Sequence, residues 1–247
     1  PMAEDGKEAL ASMGDDTPSA VLSKKYRPLS HFFRQNFSQV TNPPIDSLRE
    51  YRVMTLRTRL GNLGNILDRD ESQMRLLQLE SPVLTNAAFA AMREYMGETA
   101  VEIDCTFVPS RGELSLRKAL YRIQRQSENA VRGGAVHLIL TDKNIGPDRA
   151  AIPMILATGG VHSHLVEQSL RTFTSLNVQA VECLDVHYFA VLIGVGATTI
   201  NAYLAQETIA DRHRRGLFGE MDRETCIRRY VEAVDQGLLK VMSKMGI

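Results

Sequence analysis

The sequence is poor in the features that mark secreted, membrane or nucleic-acid-binding proteins. It holds three cysteines in 247 residues and no Cys-x-x-Cys pair, which fits reduced thiols in a cytosolic protein better than a disulfide framework. Its 29 basic residues equal its 29 acidic residues, so no overall positive field would attract nucleic acid or an anionic membrane. It contains neither an apolar run of membrane-spanning length nor a signal-peptide pattern. We therefore predict a soluble, cytoplasmic protein that binds neither nucleic acid nor membranes.

Patterns of common catalytic machinery are absent as well. No paired carboxylates stand out, and there is no Gly-x-Ser-x-Gly motif. The three cysteines sit in apolar surroundings, where a thiol is usually buried and inert. One candidate metal set consists of His162, His164, Asp185 and His187. Because residues two apart cannot share a helix face, we predict hydrogen-bonded histidines and no metal site, with a regulatory module at 162–187 as an alternative.

What the sequence does contain is a regular alternation of strand and helix patterns. Short runs of apolar and β-branched residues predict strands at residues 101–108, 135–141, 152–158, 179–184 and 189–195. Helical patterns lie between several of them, at residues 115–131, 161–176 and 197–214. This succession predicts an α/β fold with a parallel sheet, wound as an α/β barrel or as an open sheet.

Two further helices carry clear end signals. Thr85 is the predicted N-cap of a helix that ends near Gly97. Asp222 is the predicted N-cap of a long helix that reaches about Lys244. The long helix has an apolar stripe formed by Ile227, Val231, Val234, Leu238, Val241 and Met245. An unpartnered stripe of this kind predicts self-association of the chain.

Two glycine-rich turns are candidate anion sites. Gly194, Gly196 and Thr198 follow a predicted strand and open a predicted helix, where backbone amides can approach a phosphate. The turn lacks both the third glycine of the dinucleotide fingerprint and the lysine of a P-loop, so a tight structural turn is the competing interpretation. The turn at 158–161 has the same pattern. A ligand at residues 194–198 would make the chain a stand-alone α/β-barrel enzyme for a phosphorylated compound.

The stretch TNPPID at residues 41–46 predicts a rigid bend. Proline fixes its own φ and moves the preceding residue out of the helical region, so Asn42, Pro43 and Pro44 form an extended corner of one shape. One interpretation is a connector that orients the next helix, with Asp46 as its N-cap. The other is that Thr41 and its neighbours line a path or contact another module.

Several long stretches of the sequence resemble a single family. They are EALASMGDDTPSAVLS, FRQNFSQVTNPPIDSLRE, LESPVLTN, SENAVRGGAVHLILTDKNI, RAAIPMILATGGVHSHLVEQSLR, FAVLIGVGATTINAYLAQETI and GLLKVMSKMGI. In content and order they are similar to the central domain of the large (α) subunit of glutamate synthase, over essentially the whole chain. The resemblance implies an incomplete version of a TIM-type, FMN-domain-like barrel. It also implies that residues 1–30 are an extended arm after an amidotransferase domain, and that residues 31–247 form the central domain and end where the FMN domain begins.

A role follows from the same resemblance. In that family ammonia released from glutamine by the amidotransferase domain passes through a tunnel to a domain with FMN and an iron–sulfur cluster, where 2-oxoglutarate becomes glutamate. The central domain links these two partners and itself holds no catalytic residue, flavin or metal. Thr41 and Asn42 match residues at the tunnel entrance, held by Pro43 and Pro44. The parent enzyme would be reduced by NADPH, through a small subunit, or by ferredoxin.

Three residues depart from the pattern expected of the family. Ser47 stands in place of a proline, so the bend is less stiff downstream. Val195 and Ala202 replace the tyrosine and proline of a GYGA…NPYLA pattern. The last two replacements weaken the assignment of a ligand to Gly194 and Gly196.

Overall fold

The computed structural model describes residues 1–8, 17–34, 49–68, 71–110 and 113–246. The chain divides into two compact units, each built from separate stretches of sequence. Unit 1 consists of Pro1–Leu56, Leu184–Val191 and Glu207–Ile247, and unit 2 consists of Arg57–Cys183 and Leu192–Gln206.

The described residues form eight α-helices and eight strands, with short 3₁₀ turns between them. The helices are α1 (Met2–Asp5), α2 (Glu50–Val53), α3 (Asn86–Met96), α4 (Glu113–Arg132), α5 (Met154–Glu167), α6 (Val186–Gly194), α7 (Tyr203–Arg214) and α8 (Arg223–Met245). The strands are β1 (Thr58–Leu60), β2 (Leu77–Leu79), β3 (Ala100–Asp104), β4 (Thr106–Phe107), β5 (His137–Thr141), β6 (Ala150–Ala151), β7 (Ser175–Gln179) and β8 (Thr199–Asn201). None of these helices combines the length and apolar character needed to cross a membrane.

Unit 2 is built on a parallel sheet with the strand order β3-β5-β7-β8. Each strand pairs with the strand of this sheet that comes next along the chain, for example His137 with Ser175 and Asn177 with Thr199. The helices α4, α5 and α6 lie in the intervening connections. Neighbouring parallel strands joined by helical crossovers are the winding of an α/β barrel. The four described strands form an open sheet, with residues 82–84 bridging to the β8 edge through hydrogen bonds to Ile200. The predicted α/β fold, an incomplete version of a barrel, is confirmed.

The two faces of this sheet pack against different elements. Ile139 of β5 belongs to a buried cluster with residues from β1, the 82–84 segment and α3, namely Leu60, Leu84, Phe89, Met92 and Met96. Because side chains alternate along a strand, Leu138 and Leu140 point to the opposite face, and both are fully buried. Crossover helices of one hand stay on one face of a sheet. In agreement with this rule, α4 and α5 pack against each other, α4 contacts β3, and α5 contacts β7.

Unit 1 is organised around α8. Asp222 caps this helix by accepting a hydrogen bond from the Thr225 amide at 2.9 Å, as predicted. The short helix α1 packs against α8, and the guanidinium of Arg229 donates to the Glu4 carbonyl. Residues Met2–Asp5 of the predicted N-terminal arm thus form a short helix that packs against α8.

The buried face of α8 is rotated relative to the predicted stripe. Its buried apolar residues are Cys226, Tyr230, Ala233, Val234, Gly237 and Leu238. Val234 and Leu238 of the predicted stripe are thus buried, whereas Met245 is 66% exposed. The two residues at the centre of the stripe are therefore not exposed and could not contact a second copy of the chain.

The helix predictions hold best where both ends carry signals. Thr85 Oγ1 accepts from the Ala88 amide at 3.0 Å, and α3 ends at Gly97 with a positive φ of 51°. The predicted helix at 115–131 matches α4, and the predicted strands at 101–108 and 135–141 match β3, β4 and β5.

Three predicted strands are wrong. Residues 152–158 enter α5, residues 189–195 lie largely in α6, and residues 179–184 follow β7, which ends at Gln179. In α6 the sequence VHYFAVLIG is apolar on almost every side, and Val186, Phe189 and Leu192 are fully buried. A helix buried on all sides shows no 3.6-residue period, so its sequence cannot be told from that of a buried strand.

Candidate functional site

The predicted rigid bend lies outside the described residues. Thr41, Asn42, Pro43 and Pro44 fall in the range 35–48, for which no structure is described. Their assignment to a tunnel entrance stays a prediction.

The turn at Gly194 to Thr198 does not have the local geometry on which the anion hypothesis rests. It follows the helix α6 and leads into the strand β8, so it lies at the negative end of a helix dipole. Gly196 has φ +114°, and a Cβ there would lie 2.3 Å from His162 Nδ1, so packing accounts for this glycine. Thr198 Oγ1 accepts from the Leu176 amide at 3.1 Å. The premise of a helix N-terminus at this turn is therefore wrong.

The second glycine pair also has a structural explanation. Gly159 and Gly160 lie inside α5 and not in a strand-to-helix turn. A Cβ on Gly160 would lie 3.5 Å from Gln124 Nε2 of α4, and the Gly160 carbonyl accepts from that same nitrogen at 3.2 Å. Gly160 therefore sits where α4 approaches α5, whereas a Cβ on Gly159 would lie 3.6 Å from Val195 Cβ.

Each histidine of the candidate metal set bonds its own protein partner. His162 Nδ1 accepts from Arg171 Nε at 3.0 Å, and His164 Nε2 lies 2.8 Å from Glu128 Oε2. His187 Nε2 donates to the Ser30 carbonyl at 2.8 Å. Among the described residues, no three His, Cys, Asp or Glu side chains are grouped so as to hold a metal ion.

The side chain of Arg171 links His162 of α5 to two neighbouring segments of unit 2. Its guanidinium is held by three acceptors, His162 Nδ1, the Thr174 carbonyl at 2.8 Å and the Gly196 carbonyl at 2.9 Å. Burial lowers the pKa of His162, and the Arg171 charge lowers it further, so the ring is neutral and can accept this hydrogen bond. The cluster positions the α5, β7 and β8 connections with respect to one another.

The carboxyl edge of the sheet is where an α/β barrel places reactive groups, and here it carries a polar network. Asp142 follows β5 and is fully buried. Its Oδ2 accepts from the Val181 amide at 2.9 Å, and its Oδ1 accepts from the Tyr203 hydroxyl at 3.0 Å. Burial, the largest effect, raises the pKa of Asp142 to about 6, although both hydrogen bonds oppose it.

Asp104 at the end of β3 has a different environment. Burial raises its pKa, but hydrogen bonds from Thr106 and Asn144 and the charge of Arg149 outweigh burial, so the pKa is lowered. Arg149 Nη2 donates to Asp104 Oδ2 at 2.7 Å. Asp104 is therefore ionised and engaged in an ion pair.

The ends of β7 and β8 are joined by amide side chains. Gln179 Nε2 donates to Asn201 Oδ1 at 3.0 Å, and Asn201 Nδ2 donates to Asn86 Oδ1 at 2.9 Å. One layer deeper, Thr199 Oγ1 donates to Asn177 Oδ1 at 2.8 Å. Polar atoms at this edge are thus bonded to one another.

The cysteine nearest the network is not activated. Cys105 follows β3 and is fully buried. Burial, followed by the charges of Asp142 and Asp104, raises the pKa of its thiol to about 12. A thiol in this state is protonated at neutral pH and is a poor nucleophile.

Comparison with known proteins places this arrangement in a family. Residues 1–247 match the family described as the glutamate synthase central domain. The chain belongs to this family. The large chain of the NADPH glutamate synthase of Azospirillum brasilense is 72% identical over 247 residues, which is all of this chain and 16% of that protein. The predicted resemblance is confirmed.

Other relatives of this central domain are named for different reductants. The NADH glutamate synthase of Saccharomyces cerevisiae is 38% identical over 258 aligned residues, and ferredoxin-dependent glutamate synthase 2 of Synechocystis is 40% identical over 260. Both matches cover the whole chain but only 12% and 17% of those proteins. The chain spans about a sixth or less of the length of these relatives.

The residues that sequence reasoning missed in this central domain are Asp142, Arg171, Tyr203 and Glu128. Asp142 carried a readable signal, because it directly follows the apolar strand HLILT. Arg171 and Tyr203 carried none for their contacts with Gly196 and Asp142, because these partners are remote in sequence.

Proposed function

We propose that this chain is a non-catalytic connecting domain of a glutamate synthase large chain. It joins the glutamine amidotransferase domain to the FMN-containing domain that aminates 2-oxoglutarate, and it lines the passage for ammonia between them. The observation that carries the non-catalytic part of the proposal is the carboxyl edge of the sheet. There Asp104, Asp142, Gln179 and Asn201 are each bonded to other protein groups, and Cys105 holds its proton.

The proposal for the passage rests on the family resemblance of the bend at residues 41–46. Two adjacent prolines restrict the backbone to one shape, which would keep a passage at constant width. The hydroxyl of Thr41 and the amide of Asn42 can hydrogen-bond ammonia, which is small, neutral and lost if it reaches water. A rigid polar entrance therefore serves to keep the two half-reactions coupled.

The test replaces Thr41 with valine in a complete glutamate synthase that carries this domain. Valine has nearly the shape of threonine but no hydroxyl, so the change alters hydrogen bonding at nearly constant volume. We expect glutamine hydrolysis to continue while the glutamate formed per glutamine hydrolysed falls, with the difference appearing as free ammonia. Both products are measured in the same reaction.

The matched control is Thr208→Val, the same change at an exposed position of α7. It should leave the ratio of glutamate to hydrolysed glutamine unchanged. An unchanged ratio in Thr41→Val would count against Thr41 as a passage residue, whereas a parallel loss of both activities would indicate damage to the fold.

The cofactors of the parent enzyme are assigned to its other domains. The described residues offer no grouped metal ligands, and the turn at Gly194 and Gly196 lies at a helix C-terminus, which disfavours a flavin phosphate. From the family resemblance, we propose that FMN and the iron–sulfur cluster are held by another domain of the parent enzyme. NADPH, through a small subunit, and ferredoxin are the candidate reductants of the parent, as in the names of the relatives.

A further inference from the structure

Asp142 fixes two stretches of unit 2 that adjoin the points where the chain leaves that unit. Val181, whose amide donates to Asp142 Oδ2, lies two residues before Cys183, the last residue of unit 2 at that crossing. Tyr203, whose hydroxyl donates to Oδ1, lies three residues before Gln206, the last residue at the next outward crossing. One fully buried carboxyl group thus holds both stretches.

A like charge lies near this carboxyl group. Glu182 raises its pKa through like-charge repulsion. The ammonium of Lys143 lies 5.5 Å from the centre of the Tyr203 ring. The thiol of Cys105 also lies near Asp142, and the Asp142 charge helps to keep that thiol neutral by raising its pKa. An ionised Asp142 is therefore desolvated, and it is stabilised by hydrogen bonds from Val181, from Tyr203 and from its own backbone amide.

We propose that Asp142, Val181 and Tyr203 form a proton-operated latch, closed when the Asp142 carboxyl is protonated and released more readily when it is ionised. Opening of the 181–183 stretch exposes Asp142 to water, which solvates the carboxylate far better than the closed site does. The inference goes beyond the connecting role and does not depend on the ammonia passage.

The sign of the effect follows from linkage. Burial raises the pKa of Asp142 in the closed state to about 6 from an ordinary value of 3.8. The protonated form is therefore favoured when the latch is closed, and this preference is lost as pH rises from the lower value through the upper one. If opening restores full solvation, the opening equilibrium rises by up to roughly a hundredfold across this range.

Amide hydrogen exchange of the Val181 segment tests the latch in the 247-residue chain. Exchange rates are corrected for the known pH dependence of unprotected amides, so that only the opening equilibrium remains. We expect opening at Val181 to increase by more than tenfold from mildly acidic to neutral pH. Opening that is independent of pH, or that decreases as pH rises, would overturn the proposal, because the hydrogen bonds would then outweigh burial.

Three variants separate the latch from a passive structural contact. Asp142→Asn keeps the shape without the charge, so opening should no longer depend on pH. Glu182→Gln removes a like charge and should move the transition to lower pH, whereas Tyr203→Phe removes a donor to the carboxylate and should move it to higher pH. Shifts in the reverse directions would contradict the proposal, as would an unchanged transition in Asp142→Asn.

Discussion

Replacing Gly237 with alanine should destabilise unit 1, although the same change stabilises most helix interiors. Gly237 is buried in the middle of α8 and faces Val186 of α6. A Cβ at this position would lie 2.4 Å and 2.7 Å from the two γ-methyl carbons of Val186 and 3.1 Å from its Cβ. Real Cβ atoms do not approach other carbons so closely, so α8 or Val186 has to move.

Two opposing terms set the magnitude. Alanine gains about 1 kcal/mol over glycine in a helix interior. Overpacking of a well-packed core costs about 1–3 kcal/mol, and the β-branched Val186, fully buried, has few other rotamers in a helix. The net expectation is a loss of about 1–2 kcal/mol in the free energy of unfolding.

Urea denaturation of the 247-residue chain measures this loss, with Gly159→Ala as a matched control. Gly159 also lies within a helix, but its Cβ would lie an ordinary 3.6 Å from Val195 Cβ. Gly159→Ala should therefore stabilise the chain by up to about 1 kcal/mol. The two glycine-to-alanine changes are expected to differ in sign.

A double-mutant cycle identifies the cause. In a Val186→Ala background both γ-methyl carbons are gone and only the 3.1 Å contact with Cβ remains, so Gly237→Ala should become nearly neutral. The packing argument would be refuted if Gly237→Ala destabilised both backgrounds equally, or if it stabilised the unmodified chain as Gly159→Ala does.

Two other changes test the ionic contacts of unit 2. A hydrogen bond from His164, then one from Arg132, lowers the pKa of Glu128 below its ordinary value of 4.5, so the stability it contributes is present above that pH and lost as pH falls further. Glu128→Gln should accordingly lower the urea midpoint at neutral pH and reduce the decrease of that midpoint as pH falls below 4.5. The same decrease in the variant and in the unmodified chain would contradict this role. Arg171→Lys should cost about 2–3 kcal/mol, since lysine cannot reproduce the three hydrogen bonds of the guanidinium, one of them to Gly196. A urea midpoint equal to that of the unmodified chain would show that the guanidinium hydrogen bonds of Arg171 contribute little to stability.

The sequence was most informative where local chemistry decides structure. Thr85 and Asp222 cap their helices through side-chain hydrogen bonds to amides three residues ahead, which the sequence alone can predict. The sequence was least informative for α5 and α6, whose apolar runs cannot be told from buried strands by periodicity alone. Tertiary packing, which sequence spacing does not contain, decides these two elements.

The glycines of the candidate anion turn illustrate the same limit. The motif at Gly194 and Gly196 is compatible with phosphate binding or with close packing, and the deciding facts are the helix before it and the ring of His162 against it. Likewise, the titration of Asp142 depends on burial and on Tyr203, which is remote in sequence. The polar network at the carboxyl edge therefore cannot be predicted from the sequence alone, because its residues come together only when the strands pair.

The central claim is that this chain connects active centres without holding one. The most direct test incubates the purified 247-residue chain with FMN, separates it by gel filtration, and assays it for ammonia release from glutamine. We predict that no flavin elutes with the protein and that no ammonia forms above the background. Stoichiometric retention of flavin, or glutamine hydrolysis that scales with the amount of chain, would contradict the account.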